Sequence, residues 1–125
     1  MTVVLPAGTD IYLTGGKSHD SEIRLARFLI QHLAPGGVFA DVGAHFGYFS
    51  LLAARLVGAA GQVLAFEASR ATYAVLAANV AAAPAVQARH CAVSDAPGQL
   101  VLRIPHALQR VQLAENRAVR PGKVV

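Results

Sequence analysis

The segment from residue 38 to residue 49 constrains the fold of this chain more than any other stretch. A short apolar run contains Asp41 near its end, glycines follow at Gly43 and Gly47, and a helix-forming run comes next. This order is typical of a buried strand, a tight turn where backbone approaches a ligand, and a helix whose N-terminus faces that ligand. It predicts the beginning of a nucleotide-binding α/β domain.

A second acid supports the same interpretation. The apolar run 63–66 ends in Glu67. Nucleotide-binding α/β domains place an acid at the end of their second strand, where it accepts hydrogen bonds from ribose hydroxyls. Together with Asp41, this acid predicts a pocket for an adenosine-containing cofactor.

The rest of the chain alternates predicted helices and strands. Strands are expected at residues 38–42, 63–66 and 86–93, with helices beginning near residue 20 and spanning 48–57 and 72–82, and a further extended run at 100–104. Such alternation predicts right-handed βαβ units and a parallel sheet. The first strand has the apolar character of one buried on both faces, and the third is polar enough to lie nearer an edge.

An N-terminal segment, residues 1–17, is expected to precede a domain that covers residues 18–125. Its apolar runs 3–5 and 11–13 are separated by Pro-Ala-Gly-Thr-Asp, which has the composition of a turn. We therefore expect an extended, hairpin-like segment here.

Composition narrows the class of protein. The 125 residues suggest one domain, and 54% apolar residues suffice for a core. No apolar run reaches the roughly 18 residues that span a bilayer, so we expect no membrane partner. A lone cysteine, Cys91, cannot form an internal disulfide, which favours a cytoplasmic location.

The net charge of +4 comes from the C-terminal stretch. Its bases are Arg103, Arg110, Arg117, Arg120 and Lys123, against the single acid Glu115. No aromatic residue lies there to stack on a base. The pattern favours a solvated or incompletely packed end over a nucleic-acid partner.

The glycine spacing discriminates between cofactors. The dinucleotide fingerprint is Gly-x-Gly-x-x-Gly, but here Asp41 takes the place of the first glycine, giving Asp-x-Gly-x-x-x-Gly. A carboxylate is badly placed beside a diphosphate, which argues against a nicotinamide-dependent oxidoreductase. It favours a cofactor with a cationic end, and S-adenosylmethionine, with its ammonium and sulfonium groups, fits.

Three blocks of this sequence carry a family resemblance. FADVGAHFGYFSLLAARLVG, GQVLAFEAS and HCAVSDAPGQLVL resemble the FkbM family of class I S-adenosylmethionine-dependent methyltransferases, over residues 18–104. The resemblance implies a Rossmann-like three-layer α/β fold and methyl transfer to a hydroxyl oxygen of a sugar, polyketide or similar small metabolite. It also implies the site: Asp41, Gly43, Ala44 and Gly47 at the methionine end of the cofactor, Glu67 on the ribose, and Ala92 and Val93 beside the adenine.

The sequence also departs from the broader class. His45 stands where the general motif has a third glycine, and it could contact cofactor or substrate or make a local structural bond. Ala92 stands where many class I enzymes have an acid. His19 and Glu22 could reach over the pocket, although we expect both to cap the preceding helix. The sequence identifies neither a catalytic base nor a metal site.

The acidic Ile-Asp-x-Glu-Gly motif of the family's fourth parallel strand has no match in residues 105–125. We therefore expect an incomplete fold, with three parallel strands plus a further extended segment, from an N-terminal part of a longer enzyme or a truncated reading frame. A non-catalytic module that binds cofactor or a partner is the alternative interpretation.

Overall fold

The computed structural model describes residues 1–3, 9–16, 19–104 and 107–114. Its elements are α1 (Thr9–Thr14), α2 (Asp20–His32), β1 (Val38–Val42), α3 (Tyr48–Val57), β2 (Gln62–Glu67), α4 (Arg70–Val80), β3 (Val86–His90), β4 (Ala92–Val93), β5 (Gly98–Ile104) and β6 (Ala107–Ala114). The predicted α/β class is confirmed, as are the bounds of β1 and α3. Along the described part of the chain, no helix combines the length and apolar character needed to cross a bilayer.

Strands β1, β2 and β3 form a parallel sheet in that order, with α3 and α4 as the crossovers. Val42 pairs with Phe66, and Glu67 pairs with His90. The carboxyl ends of all three strands therefore meet at one edge of the sheet, which is where open α/β sheets bind ligands.

The buried strand of this sheet is β2 rather than β1. Side chains 63–66 of β2 are all buried, because the strand has a neighbour on each side. Val42 of β1 is 63% exposed, so the expectation that the first strand is buried on both faces was wrong. Within the described residues β1 pairs only with β2, which leaves it half-covered. Strand β3 lies at the other edge, as its polar sequence predicts.

Two apolar clusters hold the helices against the sheet. One joins α2, α3 and β2 through Leu29, Leu33, Ala53, Val57 and Val63. The other joins α4 to β2 and to the residues after β1 through Ala44, Ala65, Leu76 and Val80. Because Ala44 belongs to this second cluster, the turn that follows β1 is anchored in the core.

The N-terminal segment is helical where an extended run was expected. Residues 11–13 lie in α1, and the Gly15 N–H donates to the Ile11 carbonyl at 2.9 Å. Gly15 follows the helix with φ +75°, which is typical of a helix C-terminus. The hairpin prediction is therefore wrong for residues 11–13, and its partner residues 4 and 5 lie outside the described residues.

The continuous strand expected over residues 86–93 is divided in two. Strand β3 ends at His90, a turn follows at Cys91, and Ala92–Val93 forms β4 in a second sheet of order β4-β6-β5. The extended run at residues 100–104 is confirmed as part of β5. It pairs antiparallel with β6, a strand that the sequence did not predict. The β5–β6 hairpin is therefore an addition to the parallel sheet.

Candidate functional site

The turn after β1, residues 43–47, is fastened to the end of β2. The N–H groups of Gly43 and Ala44 both donate to the carbonyl oxygen of Phe66, each at 2.9 Å. The Gly47 N–H then donates to the carbonyl of Ala44 at 2.8 Å. One carbonyl oxygen can accept both bonds because it carries two lone pairs. The fold itself therefore fixes the shape of this glycine turn.

A cavity of about 360 Å³ lies beside the glycine turn, within the roughly 300–1,000 Å³ typical of small-molecule sites. The structure brings four of the predicted cofactor-binding residues to it. Its lining residues are Ile11, Glu22, Asp41, Gly43, Ala44, His45, Phe46, Tyr48 and Phe49. A larger groove of about 480 Å³ near the ends of α3 and α4, half of whose lining residues are alanines, contains none of the predicted site residues.

Asp41 is held by the first turn of α3. Ser50 Oγ donates to Asp41 Oδ2 at 2.6 Å, and Ser50 is completely buried. Burial raises the pKa of the Asp41 carboxyl above its ordinary value, hydrogen bonds from the side chain and backbone of Ser50 oppose this, and the charge of Glu67 reinforces it. A cation placed beside such a carboxylate favours its charged form, so Asp41 is suited to a cationic group.

Glu67 ties together the turns that follow β1 and β2. Its Oε2 accepts the backbone N–H of His45 at 3.0 Å, and its Oε1 accepts the N–H of Ser69 at 2.8 Å. Hydrogen bonds to a carboxylate are about twice as strong as neutral ones. Glu67 is therefore already a structural anchor, and each oxygen retains acceptor capacity for a further donor.

His45 has a left-handed backbone at the rim of this cavity, with φ +53°. Its exposed ring packs against Phe46 at a centroid distance of 3.8 Å, while its N–H is held by Glu67. Left-handed geometry costs an L-residue about 1–2 kcal/mol, and such strain is concentrated at functional sites. His45 therefore makes a local structural bond and also faces the cavity.

The two glycines of the motif have different roles. A Cβ on Gly43, where φ is +76°, would meet no atom within 4 Å, so the space beside this backbone is open to a ligand. A Cβ on Gly47, where φ is +87°, would lie 2.7 Å from Leu76 and 3.3 Å from Val80. Gly47 therefore faces α4, and it is absent from the lining of the cavity. Close packing against α4 is therefore the contact that the structure shows for Gly47, and its approach to a ligand stays a prediction.

The remaining predicted residues lie elsewhere. Glu67 stands at the carboxyl end of β2, next to the cavity residue His45. Ala92 and Val93 form β4, pair with Leu113 and Ala114 of β6, and do not contribute to the lining of the cavity. The structure therefore brings the methionine-end residues together without joining them to the two residues assigned to the adenine.

Sequence reasoning named one polar residue of this site only as an alternative and missed another. Glu22 was expected to cap α2, with a reach over the pocket as the alternative, and it lines the cavity; His19 holds the N-cap position without a side-chain capping bond. Ser50 was not singled out, although a hydroxyl in the first turn of the helix after an acid is a recognisable hydrogen-bonding position. Among the described residues, no group of three or more His, Cys, Asp or Glu could hold a metal ion.

The described fold is similar to those of solved methyltransferases. A candidate rRNA methylase from Clostridium thermocellum matches with a TM-score of 0.56 and 16% identity, over 62% of this chain and 43% of that one. A protein-L-isoaspartate O-methyltransferase matches with a TM-score of 0.52 and 23% identity, over 62% of this chain and 26% of that one. An S-adenosylmethionine-dependent O-methyltransferase from Thermotoga maritima matches with a TM-score of 0.51 and 20% identity, over 64% of this chain and 32% of that one. No family model and no curated protein matches the sequence.

At these identities the likeness concerns the fold. The predicted Rossmann-like methyltransferase fold is confirmed by a parallel β1-β2-β3 sheet with helical crossovers and by neighbours of the same architecture. The chain spans less than half the length of each of these three neighbours.

Proposed function

We propose that this chain is an S-adenosylmethionine-dependent methyltransferase, or the cofactor-binding part of one. The observation that carries the proposal is the juxtaposition of Asp41 with open space at Gly43, at the carboxyl end of β1. Glu67 at the end of the adjacent strand supplies a second carboxylate. Neighbouring parallel strands lie about 4.8 Å apart, which suits one extended nucleoside ligand reaching both acids.

The electrostatics of the cavity favour this cofactor over a dinucleotide. Asp41 and Glu22 both line the cavity, and two carboxylates attract a cation and repel a diphosphate. S-adenosylmethionine supplies an electrophilic methyl group on a sulfonium, together with an ammonium group. The role we assign to these acids is to hold the cationic end of the ligand.

The proposed contacts follow the strand order. Asp41, Gly43, Ala44 and His45 would hold the methionine end, and Glu67 the ribose. Gly47 contributes indirectly, because it lets the turn pack against α4. Ala92 and Val93 are kept as adenine neighbours on the strength of the family resemblance. The contribution of these residues to the reaction is orientation of the reactants, which lowers the entropic part of the barrier.

The finer assignments rest on the resemblance to the FkbM family. They are an FkbM-like enzyme, a hydroxyl oxygen of a sugar, polyketide or similar small metabolite as the methyl acceptor, and a cytoplasmic location. Fold alone does not fix a substrate. Support for them comes from the motif blocks that contain Asp41 and Glu67.

Calorimetric titration of the folded protein with S-adenosylhomocysteine tests the cofactor. We expect saturable binding, with NADH giving no fluorescence change under the same conditions. Binding of NADH in place of S-adenosylhomocysteine would favour an oxidoreductase. Absence of binding by a protein with native circular dichroism would refute the proposed site.

The second candidate is a module that binds cofactor without turnover. It is favoured by the single neighbour of β1 within the described residues, which leaves Val42 exposed at the site edge. Release of S-adenosylhomocysteine from S-adenosylmethionine in the presence of hydroxyl acceptors would eliminate this candidate. Binding without such release would support it.

A further inference from the structure

The β5–β6 hairpin has one apolar face and one exposed face. Val101 and Arg110 are paired across the two strands and both are exposed, whereas Leu100 pairs with the buried Val111. Alternation along each strand assigns the less exposed face to residues 100, 102, 109, 111 and 113. Gln109 is the one polar residue on this face in the described part of the hairpin, so its side chain requires partners.

The partners of Gln109 belong to the parallel sheet layer. Its Oε1 accepts the backbone N–H of Arg70 at 3.1 Å, and its Nε2 lies 3.2 Å from Nε2 of His90. Arg70 is the first residue of α4, whose N–H has no partner within the helix. A single amide therefore fastens the hairpin to the start of α4 and to the end of β3.

This attachment lies beside Glu67. His90 is the register partner of Glu67 on the adjacent strand, and Ser69, which precedes Arg70, donates its N–H to Glu67 Oε1. Gln109 therefore lies over the carboxyl ends of β2 and β3. On the methyltransferase assignment, this is the nucleoside end of the ligand.

Nε2 of His90 has two contacts that require opposite tautomers of the ring, and the orientation of the Gln109 amide selects between them. With its Oε1 accepting from the Arg70 N–H, the Gln109 amide presents its NH₂ group to His90. Nε2 of His90 then has to accept, which places the ring proton on Nδ1. The carbonyl oxygen of Ala68 lies 3.1 Å from the same nitrogen. Nε2 could donate a hydrogen bond to it only in the opposite tautomer. The ring is stacked on Tyr73 at 5.1 Å.

We propose that the β5–β6 hairpin forms a wall of the nucleoside end of the site, and that Gln109 is the positioning residue that docks it there. The proposal rests on the proposed cofactor. Gln109 acts through His90 and the first turn of α4, which carry the residues next to Glu67. Loss of its amide removes this attachment of the hairpin to α4 and β3 and changes the tautomer of His90, while β6 remains paired with β4.

Nitrogen NMR of His90 in the ligand-free protein tests the docking contact. At a pH where the ring is neutral, we expect the Nδ1–H tautomer in the wild type. In Q109L we expect the Nε2–H tautomer, since the Ala68 carbonyl is then the remaining partner of that nitrogen. Q109E retains an acceptor for the Arg70 N–H, so this variant should stay docked and also show Nε2–H. The same tautomer in all three proteins would overturn the proposal.

Calorimetry tests the functional part. Q109L should bind S-adenosylhomocysteine about tenfold more weakly, as expected when one hydrogen bond that orders a site is lost. 5′-Methylthioadenosine, which keeps the nucleoside, should show the same loss. Q112L is the matched control, because Gln112 lies on the exposed face of the same strand and should leave both measurements unchanged.

The outcomes separate the two proposals. Wild-type protein that binds S-adenosylhomocysteine, with Q109L binding equally well, overturns the hairpin proposal alone. Wild-type protein that binds neither ligand contradicts the cofactor assignment and the nucleoside wall with it, while the tautomer measurement still decides whether Gln109 positions His90. An equal loss of ligand affinity in Q109L and Q112L would indicate general destabilisation and contradict the specific role of Gln109.

Discussion

Ser50 donates its side-chain hydrogen bond to Asp41 at 2.6 Å and so joins the end of β1 to the first turn of α3. The pair holds a carboxylate where burial raises its pKa. A perturbed acid that lines a cavity is more typical of a binding site than of a structural cap. The arrangement predicts a conflict between stability and binding at this position.

Replacing Asp41 with asparagine is expected to stabilise the ligand-free protein at neutral pH. Because the folded state holds the Asp41 proton more tightly than the unfolded state, wild-type stability falls as pH rises from 3.8 to the raised pKa and stays lower above it. D41N lacks this titration, so its advantage in the free energy of unfolding should grow over that interval and then level off. Urea denaturation at several pH values measures the difference.

Ser50→Ala should change the stability of the ligand-free protein in the opposite direction from D41N. It removes a bond that favours the charged carboxylate, so stability at neutral pH should fall by about 1–3 kcal/mol. Both variants should bind S-adenosylhomocysteine about tenfold or more weakly. A D41N protein that binds as well as the wild type would show that the carboxylate does not contact the ligand.

The two glycines of the motif should respond differently to alanine. Gly47→Ala brings a Cβ to 2.7 Å from Leu76 at a φ of +87°, and strain plus overpacking should cost about 2–4 kcal/mol of stability. Gly43→Ala adds only left-handed strain of about 1–2 kcal/mol, since its surroundings are open. Its Cβ would occupy the space proposed for the ligand, so G43A should lose binding.

Thermal unfolding and calorimetry on both variants provide the comparison. The expected pattern is a larger fall in melting temperature for G47A and a larger loss of affinity in folded G43A. The reverse pattern would assign Gly47 to the ligand and Gly43 to packing. Equal effects on both properties would contradict the division of roles.

The sequence predicted the parallel part of the fold because its signals are local. The apolar run of β1, the glycines after it and the helix-forming run of α3 are contiguous, so their bounds were predicted correctly. Strand β6 could not be predicted, because its pairing with β5 depends on tertiary contacts. The break at Cys91 has the same origin, since β4 leaves the first sheet to pair with β6.

The sequence predicted those cavity residues that lie within the local motif. Asp41 and His45 lie in the motif and line the cavity. The packing of Gly47 against Leu76 was not predictable, because a sequence does not reveal which side chain lies against a glycine. Ser50 was missed and Glu22 was expected to act as a cap, because hydroxyls and acids in a first helical turn are typical of capping. Only the packing of α2 and α3 brings them to Asp41 and to its cavity.

His45 should be strained in a way that glycine relieves. His45→Gly is expected to raise the free energy of unfolding by up to about 1 kcal/mol, because relief of the left-handed strain exceeds the entropy that glycine adds to the unfolded chain. Both variants lose the ring contact with Phe46, but His45→Ala retains the strain, so it should be the less stable of the two. Chemical denaturation ranks the two, and a higher stability of H45A would contradict the strain argument.

Glu67 combines two roles that a ligand series can separate. Glu67→Ala leaves the N–H groups of His45 and Ser69 without their acceptor, so stability should fall and S-adenosylhomocysteine should bind more weakly by about 1–3 kcal/mol. A direct contact between Glu67 and the ribose predicts a further result. The wild type should lose affinity for an analogue that lacks the ribose hydroxyls, whereas E67A should bind both ligands alike, because the acceptor is already absent. If E67A discriminates between the ligands as strongly as the wild type, Glu67 acts through the turns alone, and the ribose ligand must be sought elsewhere along the ends of β2 and β3.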